Sequence, residues 1–385
     1  MTTLTTCQTE AMRLMREFIA GKDEYFTLGG YAGTGKTFLA NEITNEIGGN
    51  VLHCAYTGKA ALALRDRGVE GATTIHRLIY KRYSVSEAHD ALSEAELNAK
   101  RYGGAWERKL DGLNAIINRG EGNFVINPDS AVTSCKLLFV DEFSMVNEET
   151  IADLKLLAKK ILFLGDPAQL PPVEGKSPLS PDFFLDEVVR QALDNPVLRA
   201  ATAVREGRPL PTLGDWGKFK RITRKDATWE VCFGADQVLC GTNKTRWMLN
   251  DKFRKKLGHD SEIPVKRDKM VCLQNDHALG LYNGTTGVCE SAAPLHPNSK
   301  HIRMDFSQRS ELLQDLPVYD INYLGKVQEF ERKKYQFFDY GYALTVHKSQ
   351  GSEWDDVVIF NECQGMNGWL YTALTRAKDT AILVG

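Results

Sequence analysis

The chain lacks any apolar run near 18 residues, so no segment reads as a membrane-spanning helix. Its amino terminus, MTTLTTCQTEAMRLM, has no apolar centre of the kind a secretory signal needs. The eight cysteines include no C-x-x-C pair, which argues against a zinc ribbon and against a disulfide framework. Reduced, partly buried thiols in a cytoplasmic protein are expected instead. Basic excess is also missing. A net charge of −2 gives no overall positive field of the kind nucleic-acid binders often carry. It leaves room for a locally positive groove. Basic residues cluster at Lys81-Arg82, Lys252 to Lys256, Lys266 to Lys269 and Arg332 to Lys334, and each cluster reads equally well as a solvated face. Repeats and low-complexity tracts are absent. With 385 residues, 43% hydrophobic and 25% charged, the chain suffices for two or more domains with sizeable cores.

What is present begins with GYAGTGKT, Gly30 to Thr37. It follows the apolar run Tyr25 to Leu28 and leads into a segment with Phe38, Leu39, Ile43 and Ile47 on one helical face. Strand, glycine loop and helix is the context in which G-x-x-x-x-G-K-[ST] binds nucleotide phosphates. Gly30, Ala32, Gly33, Thr34 and Gly35 would wrap main-chain N–H groups around phosphate oxygens. Lys36 reaches the terminal phosphates and Thr37 offers a hydroxyl to Mg²⁺.

Short uncharged runs recur at Val51–Ala55, Leu137–Val140, Ile161–Leu164, Gln237–Cys240, Val357–Phe360 and Ala381–Val384, with helical patterns between several of them. Buried parallel strands look like this, so the fold class is α/β. Two stretches break the rhythm. Residues 81–130 are polar, and SVSEAHDALSEAELNAKR reads as an exposed helix capped by Ser84 or Ser86. No β-hairpin shows there. Residues 268–332 carry Gly and Asn turns and short alternating runs, the pattern of a small β module.

The apolar run before Asp141-Glu142 reads as a strand ending in two acids. After a phosphate loop, Asp141 is expected to hold Mg²⁺ and Glu142 to orient or deprotonate the attacking water. The next strand ends in Gly165-Asp166-Pro167-Ala168-Gln169, whose carboxyl end would lie beside the same phosphates, with Gln169 near the γ-phosphate or its water.

GYAGTGKT, VDEFSM and GDPAQLPPV, in that order, resemble motifs I, II and III of superfamily 1 helicases. LTTCQ resembles the Q-motif, AYTGKAA motif Ia, and Thr74-Ile75-His76 the segment of the RecD-like branch. Leu185 to Gln191 resembles motif IV, TVHKSQGSE motif V, and YTALTRA motif VI. The pattern spans nearly the whole chain and is most similar to superfamily 1B, the Dda and RecD type.

The resemblance implies two RecA-like P-loop domains with small insertions. Domain 1A would take residues 1–80 and 131–178, and 1B residues 81–130. Domain 2A would take 179–267 and 333–385, with an SH3-like β domain 2B over 268–332. Gln8 would read the adenine edge and Glu353 the ribose. Arg190 and Arg376 would face the γ-phosphate from the second domain, across a cleft from the loop. Thr57, Lys59, Thr74, His76, Asn243, Thr345, His347 and Ser349 would hold single-stranded DNA; several of these types serve equally as helix caps and turn ligands. Domain 1B would carry a strand-splitting pin, with Tyr83, Tyr102, Trp106 and Phe124 as candidate aromatics.

The implied activity is an ATP- and Mg²⁺-dependent monomeric helicase that moves 5′-to-3′ on single-stranded DNA and opens single-strand/duplex junctions. It would have no membrane partner, and replication or recombination proteins are expected beside it. The alternatives are an RNA helicase of the Upf1-like kind and a nucleotide-switched ATPase interaction module.

Overall fold

The computed structural model describes residues 4–171, 177–187, 195–276, 279–296, 299, 301–308, 311–321 and 334–385. The chain divides into two compact units, Met1–Leu193 and Asp194–Gly385.

The first unit opens with α1 (Thr6–Ala20), started by a reciprocal capping box between Thr5 and Gln8. There follow β1 (Tyr25–Gly30), α2 (Lys36–Ile47), β2 (Val51–Ala55), α3 (Gly58–Asp66), β3 (Thr73–Thr74), α4 (Ile75–Ile79) and β4 (Tyr80–Tyr83). After these come α5 (Val85–Tyr102), α6 (Ala105–Arg119), β5 (Asn123–Ile126), β6 (Leu137–Asp141), α7 (Glu148–Leu157), β7 (Ile161–Gly165) and β8 (Phe183–Leu185). Six strands form one sheet in the order β3-β2-β6-β7-β1-β8. Every pairing in it is parallel, so all six strands present their carboxyl ends on one edge. Side chains alternate across a strand, and both faces here are buried. Leu137 and Phe139 of β6 pack with Met15, Leu39 and Ile43 on one face. Leu138 and Val140 pack with Ile75, Ile151 and Leu154 on the other.

The expected boundary after residue 178 is corrected. Phe183–Leu185 pairs with Leu28–Gly30, so the segment through Leu185 completes the first sheet. A three-residue strand carries too little pattern to reveal that from sequence.

The insertion at 81–130 is also more than helices. Ser84 caps α5, and α5 packs along α6. At its base β4 and β5 pair antiparallel, Tyr80 opposite Ile126 and Tyr83 opposite Asn123. The reading of no hairpin missed this ribbon because two whole helices separate its strands and no turn joins them.

The second unit contains α8 (Pro196–Arg205), β9 (Gly214–Trp216), β10 (Phe219–Ile222), α9 (Trp229–Gly234), β11 (Gln237–Cys240), α10 (Asn243–Lys256) and β12 (Lys269–Cys272). It continues with β13 (Thr286–Pro294), β14 (Ile302–Gln308), β15 (Glu311–Val318), β16 (Phe338–Tyr340), β17 (Ala343–Thr345), α11 (Val346–Ser349), β18 (Trp354–Phe360), α12 (Asn367–Leu374) and β19 (Ala377–Val384). Its main sheet runs β17-β11-β18-β19-β10-β9, with only β9 antiparallel.

Strands β15-β14-β13-β12-β16 form a separate antiparallel sheet. Main-chain bonds from Tyr319 to Gln336 (2.9 Å) and from Gln336 to Pro317 (2.7 Å) join its two ends. Ile302, Met304 and Phe306 of β14 point into its core. Because β16 is part of it, the module extends beyond the expected end at residue 332. Buried pairs tie the module to α10: Arg246 meets Asp339 at 2.5 Å, and Arg254 meets Asp268 at 3.2 Å. Among the described residues no helix is long and apolar enough to cross a membrane.

Candidate nucleotide site and strand contacts

The glycine loop leaves the carboxyl end of β1, and α2 starts at Lys36. Gly35 caps that helix with φ +88°, a left-handed conformation that glycine adopts without penalty. A side chain there would also collide with the Gln8 amide, since a Cβ would stand 2.6 Å from its Nε2. Gln8 is 5% exposed, and its amide joins two pieces of main chain. Its Oε1 accepts from the Thr5 N–H at 3.0 Å, and its Nε2 donates to the Thr34 carbonyl at 3.0 Å. Gln8 therefore braces the loop. Thr34 is fully buried and its hydroxyl donates to the Tyr31 carbonyl. The Lys36 ammonium donates to the carbonyls of Gly30 (2.7 Å) and Tyr31 (3.0 Å), so it lies over the loop's own backbone. Those weak partners are ones that phosphate oxygens would outcompete. The loop conformation, the lysine and the helix start fit a bound triphosphate.

Asp141 closes β6 and Glu142 follows it with φ +58°. A left-handed glutamate is uncommon and costs backbone energy, a mark of functional positions. The Glu142 N–H donates to Asp141 Oδ1 at 2.9 Å, which fixes the turn. After β7, Asp166 is fully buried, accepts from the Ala168 N–H at 3.0 Å, and sets the turn that carries Gln169. Since β7 lies between β1 and β6, the loop, the acid pair and Gln169 leave three neighbouring strands on one edge. Thr37 and Asp141 are the oxygen ligands that would suit Mg²⁺.

Further along the same edge come β2 and β3. Thr57 caps α3, accepting from the Ala60 N–H at 3.1 Å, and Lys59 lies on that helix's first turn. Thr74 caps α4, accepting from Arg77 at 3.2 Å, and is nearly buried. His76 lies near the rings of Tyr56 and Tyr80, and its partial burial lowers its pKa below the usual imidazole range. One residue at this edge was missed by the sequence reading. Arg67, at the end of α3, donates to Thr37 Oγ1 at 3.5 Å. Nothing in its local sequence separates it from a solvated arginine.

In the second unit the candidates separate. Asn243 opens α10 after the carboxyl end of β11 and accepts from Arg246 at 3.2 Å. Thr345 ends β17 and caps α11, accepting from the Lys348 N–H at 3.3 Å. His347 is on that short helix, its pKa also lowered by partial burial. Ser349 does not face outward. It is fully buried and its hydroxyl donates to the Val346 carbonyl, so its assignment as a strand contact is corrected.

Arg376 and Glu353 precede β19 and β18, at the amino ends of those strands. Arg376 is 4% exposed. Its guanidinium donates to the Thr372 carbonyl (3.0 Å), the Ser352 carbonyl (3.2 Å) and Thr375 Oγ1 (3.1 Å). Arg190 lies outside the described residues. Of the candidate pin aromatics, Tyr83 packs in the core of the insertion, with Lys109 above the ring of Trp106. Tyr102 and Phe124 are exposed, the latter on the ribbon beneath Arg82.

A phosphate loop, a strand-end acid pair and a polar turn on the carboxyl edge of one parallel sheet define a P-loop NTPase. The model of the AAA domain family matches residues 3–226, and that of the UvrD-like helicase C-terminal domain matches residues 340–384. The chain belongs to the AAA domain family.

It is 27% identical to the ATP-dependent RecD2 DNA helicase of Deinococcus radiodurans, over 93% of this chain and 46% of that protein. It is 25% identical to the ATP-dependent DNA helicase Pif1 of Campylobacter jejuni, over 94% of this chain and 88% of the relative. The chain thus spans about half the length of the RecD2 relative. In fold it matches a Bacteroides Pif1 helicase solved with ADP-AlF3 and single-stranded DNA, with TM-score 0.57 and 17% identity, covering 100% of this chain and 92% of that one.

Proposed function

We propose that this chain is an ATP-dependent DNA helicase that translocates 5′-to-3′ on single-stranded DNA. The observation that carries the reading is the shared carboxyl edge of the first sheet, where nucleotide-type groups and strand-type groups stand on adjacent strands. The relatives named above, RecD2 and Pif1, are called ATP-dependent DNA helicases, which supports the same activity here. Bound Mg²⁺ would neutralise the β- and γ-phosphates.

The chain's own groups do the rest. Lys36 would hold phosphate oxygens, and Thr37 and Asp141 would hold the metal. Glu142 takes the proton of the attacking water while Gln169 orients it. Arg376 stabilises charge on the transferred group. Gln8 and Glu353 are assigned to the nucleoside. For Gln8 to read adenine, its amide must release the Thr34 carbonyl. Thr57, Lys59, Thr74 and His76 on one unit, with Asn243, Thr345 and His347 on the other, form two strand grips that the ATP cycle alternates. Their neutral hydroxyls, amides and imidazoles release phosphates more easily than a row of lysines would. We assign the closed antiparallel module to the SH3-like insertion, and the working species to a monomer.

A strand-displacement assay on duplexes with a single 5′ or 3′ tail tests activity, substrate and polarity together. Unwinding from the 5′ tail is expected, and unwinding only from the 3′ tail refutes the direction. Stimulation of turnover by RNA and not by DNA would favour the Upf1-like alternative. No stimulation by either would favour the nucleotide-switched module.

A further inference from the structure

Helix α3 has a different group at each end. Thr57 caps its start, and Arg67 forms its end. Nine helical residues lie between the two, which puts them about 15 Å apart. The helix follows β2, whose last residue, Ala55, pairs with Asp141 of the acid pair. From there α3 runs on and brings the Arg67 guanidinium to Thr37, with Nη1 3.5 Å from Oγ1. The end of α3 is firmly built. The Arg67 N–H donates to the Ala63 and Leu64 carbonyls, and the Val69 N–H donates back to Leu64 at 3.0 Å with Val69 buried. The Arg67 main chain is therefore fixed at the helix end, and its exposed side chain carries the guanidinium to Thr37.

Thr37 is the hydroxyl suited to Mg²⁺ at this site. A dication on that oxygen and a guanidinium on the same oxygen repel each other. One must leave when the other arrives. We propose that Arg67 is a positioning residue that ties the strand grip at Thr57 to the metal side of the nucleotide pocket. Its charge stands at Thr37. Arrival of the metal with nucleotide displaces it, and the displacement shifts α3 and the cap at its other end. The coupling half of this inference rests on the helicase reading above; the metal half does not.

The test compares wild type with Arg67→Ala and Arg67→Gln, the latter keeping side-chain length at the helix end. A fluorescent ADP is titrated at a series of Mg²⁺ concentrations. The Mg²⁺ concentration for half-maximal binding is expected to fall about threefold or more in both variants, the scale of one exposed charge interaction. An unchanged or higher requirement overturns the metal half, since a guanidinium acting as a phosphate ligand would weaken binding when removed.

The second measurement is affinity for a fluorescent oligothymidylate, without nucleotide and with Mg²⁺ and a non-hydrolysable ATP analogue. Wild type is expected to differ between the two conditions, and the variants to lose most of that difference. Variants that keep the wild-type ratio overturn the coupling. A wild type that binds no oligonucleotide overturns the helicase reading and the coupling together, while the Mg²⁺ titration still decides the metal half.

Discussion

The two units use their sheet edges in opposite ways. In the first, the carboxyl edge carries, in order across the sheet, Thr74, Thr57, the Asp141-Glu142 pair, the Asp166–Gln169 turn and the phosphate loop. Adjacent strands stand about 4.8 Å apart, so the loop and Thr57 are only about 14 Å from each other. In the second, Asn243 and Thr345 follow the carboxyl ends of β11 and β17, while Arg376 and Glu353 sit at the amino ends of β19 and β18. Motif V runs from Thr345 at one edge to Glu353 at the other. The first unit thus brings the phosphate loop, the acid pair and the Asp166–Gln169 turn together on one edge. The second holds Arg376, whose guanidinium is directed by bonds to Thr372, Ser352 and Thr375 within its own unit.

That difference predicts different kinetic signatures. Lys36→Ala should lower turnover at least about 10³-fold and weaken nucleotide binding as well, while single-strand binding survives. Arg376→Ala should cut turnover at least about 10²-fold with nucleotide affinity changed much less, because its contact is to charge that develops in the reaction. Arg376→Lys separates charge from the loss of its buried bonds. Steady-state turnover set beside equilibrium binding of fluorescent ADP distinguishes the two signatures. If Arg376→Ala loses affinity and turnover equally, the second unit is a binding surface and the contrast collapses.

Much of this was legible in the sequence because glycine loops and apolar parallel strands announce themselves locally. Val51–Ala55 and Gln237–Cys240 were read with their observed bounds. What stayed hidden depends on contacts between distant residues. The Phe183–Leu185 strand is too short to show period, and its partner is Leu28–Gly30. The ribbon of β4 and β5 forms only because α5 and α6 fold back on each other. Ser349 resembles a phosphate ligand in sequence, yet the fold turns its hydroxyl onto Val346. Arg67 is informative only beside Thr37, which lies 30 positions earlier.

Stability should be pH-dependent from within the first sheet. His53 of β2 is 8% exposed, stacks on Phe139 at 4.5 Å, and meets Thr44 Oγ1 at 3.1 Å. Burial pushes its pKa down from 6.5 to about 4. Above pH 6.5 the ring is neutral in both folded and unfolded chains, so its contribution is fully present. As pH falls from 6.5 toward 4, the unfolded chain takes up a proton that the folded one refuses, and stability declines by up to about 3 kcal/mol. Urea midpoints measured from pH 7 to pH 4 on wild type and His53→Gln check this. The variant should have a lower midpoint at pH 7 and a flatter profile. An identical slope in both would assign the acid sensitivity elsewhere.

The smallest effects probe the two proposed grips. Thr57→Val removes a cap and a hydroxyl, and should lower stability by about 1 kcal/mol and single-strand affinity about fivefold. Thr57→Ser keeps both groups and should restore both readouts. Asn243 is not the cap of α10, a role held by Thr242, but its side chain accepts from the buried Arg246, so Asn243→Ala should lower stability by about 1 kcal/mol while weakening strand binding by a similar factor. If the grips alternate, the Thr57 effect should be concentrated in one nucleotide state and the Asn243 effect in the other. The measurement is oligothymidylate affinity with and without the ATP analogue, on each single variant and the pair. Equal losses in both states would mean that both units hold the strand throughout the cycle. In that case the split between the edges of the second sheet would serve catalysis alone, and stepping would require another element.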